Sequence, residues 1–358
     1  MYEEFYRLTG KPFQLNPDPT FFFASRGHKR AMAYLQYGLY QGEGFIAITG
    51  DIGAGKTTMI RSLLVQLDPE KFVAAQLVST QLDAEDTLRA VAMAFGLQVD
   101  GADKARLLSD LEKFFISLKA SNKRPVLIVD EAQNLTPRAI EELRMLSNFQ
   151  VGETALLQSF LVGQPELRQM MRSSEMQQLR QRVIASYHLG PMDSEETEAY
   201  IKHRLKHVGW RSDPKFDDSA FAAIYAFANG IPRRINTLCN RLLLAGYLLE
   251  VHVLTAEHVA TVVEEIKEEI GDDAVDEGQA EQAAPPPEAS AYERTPSPRL
   301  VNRNEAIGKA QSGSNIALHP LEGRVLRLEK TVATALDILH RLLRVEAPHK
   351  HDVKSELK

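Results

Sequence analysis

The chain has 358 residues, 44% hydrophobic and 25% charged, with a formal net charge of −6. That is globular material for two or three domains, without the basic excess that marks a dedicated nucleic-acid binder. A single cysteine, Cys239, excludes an intrachain disulfide framework and fits a reducing compartment.

The N-terminus, MYEEFYRLTGKPF, has no basic stretch followed by an apolar run, so no signal peptide is expected. The longest apolar run, 242–254, is broken by Gly246, Glu250 and His252 and is too short to cross a bilayer. The expected location is the cytoplasm, with attachment to a membrane complex through a partner left open. Asn16-Pro17-Asp18-Pro19 is turn chemistry, and 28–40 reads as a helix. From 44 to about 190, short apolar runs (44–49, 72–78, 125–129, 156–162, 183–189) alternate with helical patterns (57–67, 84–96, 104–120, 137–148, 165–181). Such alternation predicts an α/β fold, a parallel sheet with helices on both faces. The first and third runs are nearly all apolar, as central strands are.

Residues 191–270 carry only helical patterns (194–208, 218–228, 233–249, 255–270), which predicts a small all-helical lid. Residues 271–318 are acidic and Pro-rich, with five prolines between 271 and 300 and few large apolar residues, and are expected to form a disordered linker. In 319–345, Leu321, Val325, Leu328, Val332, Ala335, Leu339 and Leu342 follow a heptad seam. That pattern predicts an amphipathic or coiled-coil helix, docked on its own protein or on a partner, before a tail at 346–358. The expected division is therefore 1–190, 191–270, 271–318, 319–345 and 346–358.

The sharpest motif is Gly50-Asp51-Ile52-Gly53-Ala54-Gly55-Lys56-Thr57-Thr58, which fits G-x-x-x-x-G-K-[ST] between an apolar run and a helical pattern. Glycines let the loop curl so that backbone N–H groups face phosphate oxygens, and the following helix adds the positive end of its dipole. Lys56 can then reach the β- and γ-phosphates of ATP, and Thr57 can place its hydroxyl on Mg²⁺. A second apolar run ends in Asp130-Glu131. Asp130 is suited to hold the metal through water, and Glu131 to polarise an attacking water.

Gln164 ends another apolar run, either as a residue facing the γ-phosphate or as a helix-entry residue before Pro165. Arg180 and Arg182 precede the fifth run. In a ring, one of them could reach a neighbour's γ-phosphate; otherwise they are surface ion-pair partners. Gly230-Ile231-Pro232-Arg233-Arg234 opens a lid helix, and Arg233 is the candidate to fold back onto the phosphates. The histidines show no metal-ligand spacing, and the basic run 202–207 reads as a solvated helix face.

In order, these motifs resemble the AAA+ ATPases of the ExeA/GspA type, associated with bacterial secretion. Tyr6-Arg7-Leu8-Thr9-Gly10-Lys11-Pro12-Phe13 and Gly42-Glu43-Gly44-Phe45 strengthen the likeness, which spans about residues 1–270. Within that group the sequence is similar to the secretion ATPase encoded beside exosortase (PEP-CTERM) and exopolysaccharide genes. The resemblance implies Walker A at 50–58, Walker B at 126–131, sensor 1 near Gln164, sensor 2 at Arg233 and a finger at Arg182 or Arg180. It further implies a homo-oligomer that hydrolyses Mg-ATP and works on an envelope export partner. The alternative is a DNA-associated AAA+ ATPase of the transposition-helper or initiator kind, for which the sequence offers no strongly basic extension.

Overall fold

A computed structural model describes residues 1–78 and 82–270. The linker, heptad helix and tail expected at 271–358 lie outside the described residues. Five parallel strands form the central sheet: β1 (Phe45–Gly50), β2 (Phe72–Val78), β3 (Arg124–Asp130), β4 (Gln158–Gly163) and β5 (Val183–Leu189). Their order is β2-β3-β4-β1-β5, so β1 lies between β4 and β5 and is buried along its whole length.

The two-residue period of a strand builds one core on each face. Phe45, Ala47, Leu127, Val129 and Leu161 point to one face. There they meet α3 (Ala84–Ala94), α4 (Lys104–Ala120), α5 (Pro137–Leu146) and α6 (Pro165–Arg172). Ile46, Ile48, Val126, Ile128, Phe160 and Val162 point to the other, against α1 (Arg26–Gln41) and α2 (Lys56–Gln66). Four of these six helices start at a side chain that accepts an N–H three residues on: Ser25, Asp83, Asp103 and Thr136. The expected helix 165–181 stops at Arg172. Ser173 is extended, and Arg180 turns back to bond the carbonyls of Met171 and Ser173, closing the helix end.

The second layer holds α7 (Ser194–His207), α8 (Asp218–Ala228), α9 (Pro232–Leu248) and α10 (Ala256–Ile270). It is not wholly helical as expected, because Lys215–Phe216 pairs in parallel with Val253–Leu254. A short hairpin, Gln150–Val151 with Thr154–Ala155, was likewise unexpected. No helix among the described residues is long and apolar enough to cross a membrane.

The N-terminal segment, expected with the α/β core, packs on the helical layer. Tyr2, Tyr6, Leu8, Phe13 and Phe21 share a cluster with Tyr200, Leu205, Ile235, Leu242 and Ile266. Arg204 ties this strap down. Its guanidinium donates to the carbonyls of Pro12 (2.6 Å) and Gln14 (3.2 Å) and to the Tyr200 hydroxyl (3.0 Å). It also lies over the Phe21 ring, 4.8 Å from the centroid.

Replacing Arg204 with Ala leaves those carbonyls without their donor. It should cost about 3 kcal/mol in denaturant unfolding and expose residues 12–23 to limited proteolysis. Unchanged stability and cleavage would mean that the strap is held by its aromatic contacts alone.

Candidate active site

The loop after β1 curls through Gly53 and Gly55, at φ +81° and +93°, a left-handed region open to glycine. A Cβ at Gly53 would sit 2.4 Å from the Cβ of Arg233, and one at Gly55 would sit 2.9 Å from Nε2 of His28. Both glycines are therefore required by packing as well as by backbone shape.

Lys56 opens α2 and is only 6% exposed. Its Nζ donates to the carbonyls of Gly50 (2.6 Å) and Asp51 (2.9 Å). Burial pulls its ammonium below the usual lysine value, opposed by the charges of Glu131, Asp130, Asp51 and Glu166. Thr57 donates its hydroxyl to Oδ2 of Asp130 at 2.9 Å. Asp130 is 2% exposed, and burial pushes its carboxyl up despite that bond and the one from the Glu131 N–H.

Glu131 follows in the left-handed region, at φ 53°, ψ 40°. A non-glycine residue held there signals a backbone over-determined by its surroundings. Its Oε2 accepts from Nε2 of Gln133 (2.7 Å) and Nε2 of Gln164 (3.1 Å). Burial acts to raise its pKa, but the two amide bonds and Lys56 outweigh it, and the carboxyl sits below its ordinary value.

Lys56, Thr57, Asp130, Glu131 and Gln164 thus converge at the C-terminal edge of the sheet, where ligands sit in open α/β folds. Arg233 reaches them from α9: its backbone N–H bonds the Gly53 carbonyl at 3.2 Å. Lys56, Thr57, Glu131, Gln164 and Arg233 line a cleft of about 300 Å³, with Asp130 buried behind Thr57; Gln14–Asp18, Phe21–Phe23, Tyr200, Arg204 and Asn236 line the rest of it. Ile52 and Thr58 also line it, while Ala54 is buried.

Arg180 and Arg182 do not join this site. Arg182 precedes Val183, which pairs with Phe45, whereas the P-loop follows Gly50, which pairs with Leu189. That length of β5 is on the order of 20 Å. Arg182 donates to the Ser147 carbonyl at 3.2 Å, and Arg180 is committed to the end of α6.

The basic run on α7 is not a free cationic face. Arg204 is buried, Lys202 pairs with Glu198, and the rings of His203 and Phe23 lie against each other.

A hard, oxygen-seeking cation fits the hydroxyl–carboxylate pair of Thr57 and Asp130. Among the described residues no group of three His, Cys, Asp or Glu side chains could hold a metal. A cation here would therefore share its coordination with substrate phosphates and water.

Two site residues carried no signal in the sequence beyond general polarity. Gln133 joins Glu131 to Gln164, whose backbone N–H donates to Oε1 of Gln133 at 3.0 Å. His28, 4% exposed, props the P-loop from beneath, with Nε2 3.0 Å from the Ala54 carbonyl and Nδ1 2.7 Å from the Ser25 hydroxyl. A carbonyl only accepts, so Nε2 carries the proton; burial favours the neutral ring, in which Nδ1 accepts from the Ser25 hydroxyl. Burial lowers its pKa, outweighing the Ala54 bond and the distant Glu196.

His28→Ala should weaken nucleotide binding about tenfold in a titration, the loss of roughly one hydrogen bond's orientation of the loop. The pH dependence has a definite sign. A histidine kept neutral in the fold adds stability above its unfolded value near 6.5, and this is lost as pH falls below it. His203 is lowered by burial too, so the wild type should lose thermal stability between about pH 7 and 5.5 and His28→Gln should lose less. Identical profiles would remove His28 as a contributor.

Comparison with known proteins bears on this geometry. A family model described as an AAA domain matches residues 39–171. General secretion pathway protein A of Aeromonas hydrophila is 38% identical over 267 residues, covering 74% of this chain and 48% of that protein. The chain thus spans about half the length of that relative. The Aeropyrum pernix ORC2 protein, solved as ADPNP–ADP complexes, superposes with a TM-score of 0.54 at 18% identity, covering 71% of each chain. The ORC1 protein of the same organism, in complex with DNA, gives 0.51 at 16% identity over 68% of this chain and 65% of that one. At those identities the likeness is one of fold. The AAA-domain match thus spans the loop at 50–58, Asp130, Glu131 and Gln164, and the described core shares its fold with these solved structures.

Proposed function

We propose that the chain hydrolyses Mg-ATP to drive or regulate assembly of an envelope secretion system. The observation that carries the hydrolytic part is the convergence of Lys56, Thr57 and Glu131 on one cleft, with Asp130 bonded to the Thr57 hydroxyl behind it. In this reading the P-loop N–H groups and Lys56 bind the phosphates, and Lys56 exchanges its two carbonyl partners for phosphate oxygens. Thr57 and Asp130 would hold Mg²⁺, Asp130 by way of a bound water. The bound cation would neutralise charge on the phosphate oxygens.

Glu131 takes the proton of the attacking water, oxygen bonds to the γ-phosphorus, and the bond to the bridging oxygen breaks to release ADP. Gln164 orients the water. Arg233 follows the lid onto the phosphates, since its backbone already bonds the P-loop at Gly53.

Arg182 is the favoured finger across a homo-oligomer interface. It lies too far along the sheet to serve its own site, and Arg180 is occupied by two carbonyls. The secretion part rests on the likeness to general secretion pathway protein A. Exopolysaccharide export with exosortase is the narrower form of the same proposal, with an envelope protein as partner and the inner-membrane surface as the place of work. With Arg204 buried and Lys202 paired to Glu198, the α7 basic run offers the DNA-associated alternative only Lys206 and His207 as exposed groups.

Glu131→Gln should retain ATP while turnover falls by about 10²–10³, read by filter binding and phosphate release. Turnover that survives would remove Glu131 as the base. Turnover per subunit should also rise with protein concentration, and Arg182→Ala should flatten that rise by lowering its plateau at least tenfold. A rise that persists undiminished in Arg182→Ala but disappears in Arg180→Ala would reassign the finger. In the producing cell, Glu131→Gln should block export of envelope protein or polysaccharide; normal export would sink the secretion assignment.

A further inference from the structure

The carboxylate of Glu131 must present one oxygen to water in a fixed direction, yet Glu131 follows a strand end and is only half-buried. Something has to hold its other oxygen. Both side-chain bonds it accepts go to Oε2, from Gln133 and Gln164, and neither goes to Oε1. The shorter of the two is from Gln133.

The orientation of the Gln133 amide is itself determined. Its Oε1 accepts the backbone N–H of Gln164, the residue that caps the start of α6, while its Nε2 faces the carboxylate. The reversed amide would set donor against donor and carbonyl against carboxylate.

The sheet has made room for this side chain. Gly163, the last residue of β4, has a negative φ that any residue could adopt, but a Cβ there would lie 2.6 Å from Oε1 of Gln133 and 3.0 Å from Cδ2 of Leu167. The glycine is required by the Gln133 side chain rather than by the backbone. On the other side, the turn 132–134 is pinned by the fully buried Ala132 and by the Asn134 N–H bonding the Glu131 carbonyl at 3.0 Å.

We propose that Gln133 is a positioning residue for ATP hydrolysis, which clamps Oε2 of Glu131 against the start of α6 so that Oε1 is left to receive the proton of the attacking water, with Gly163 as the gap that admits it. The inference rests on the reading of Glu131 as the base. Gln133 touches neither the P-loop nor Lys56 through any bond of its side chain. Its loss should therefore act on turnover and leave nucleotide affinity alone.

The test compares steady-state ATPase kinetics, ATP affinity and melting temperature for the full chain and for Gln133→Leu, Gln133→Glu, Gly163→Ala and Glu131→Gln. Gln133→Leu keeps the volume and removes both bonds, and its kcat should fall about thirtyfold with affinity within about twofold. Gln133→Glu keeps acceptors for the Gln164 N–H but sets a like charge against Glu131, and should be at least as slow. Gly163→Ala retains every polar group while displacing Gln133, and should lower kcat in the same selective way.

If Gln133→Leu turns over like the wild type while Glu131→Gln is inactive, the inference is overturned and the base assignment stands. If Glu131→Gln itself turns over normally, the base assignment falls first. A Gln133→Leu variant whose ATP affinity and melting temperature drop along with kcat would mark Gln133 as structural, and would also overturn the proposal.

Discussion

A lysine that is 6% exposed, with its ammonium bonded to two main-chain carbonyls and to no carboxylate, is the feature around which the rest of the molecule is arranged. Carbonyl dipoles compensate a buried charge less fully than a counter-ion does, so the ammonium is held at a cost. Several elements enforce it. β1 lies inside the sheet, between β4 and the edge strand β5, and delivers Gly50 and Asp51 as the first acceptors. Gly53 and Gly55 fold the loop back over α2. His28 seals that loop from below through Ala54, and Arg233 closes on it from α9. An anion arriving in the cleft meets a cation already stripped of water, and that is where the site's affinity for phosphate comes from in the proposed reading.

The acidic side of the site is divided by environment. Asp130 and Glu131 are adjacent, yet burial raises the first, while two amide donors and Lys56 keep the second low. The sharp turn at φ 53° sends their side chains to different partners, Thr57 for one and the two glutamines for the other. Neighbouring carboxyls with unlike surroundings can take unlike tasks. The strap formed by residues 12–23 sets the other end of the cleft. Because Arg204 ties it to α7 and Arg233 ties α9 to the P-loop, lid and loop are mechanically joined on both sides of the cleft.

Much of this was legible in the sequence, for physical reasons. Strands buried on both faces leave nearly unbroken apolar runs, as β1 and β3 do, and the partly buried edge strands β2 and β5 also fell at 72–78 and 183–189 as expected. The phosphate loop announces itself because its glycines are needed twice, for backbone shape and for the approach of Arg233 and His28. What could not be read depends on distant partners. The break after Arg172 needs Arg180 to return across the turn, and the strap needs Arg204 some 190 residues away from Pro12. Residues 215–216 and 253–254 form strands through each other alone, so neither carries a pattern of its own. His28 and Gln133 act through single bonds to main-chain groups or neighbouring amides, which leave no spacing rule behind.

The most direct measurement is ATP binding and turnover of the wild-type chain beside Lys56→Ala, with the melting temperature of each. The account predicts that the wild type binds and hydrolyses Mg-ATP. The variant should do neither while melting at the same temperature or higher, since a costly buried charge has been removed. A Lys56→Ala protein that binds ATP with unchanged affinity, or a wild type that never turns over at any protein concentration, would contradict it.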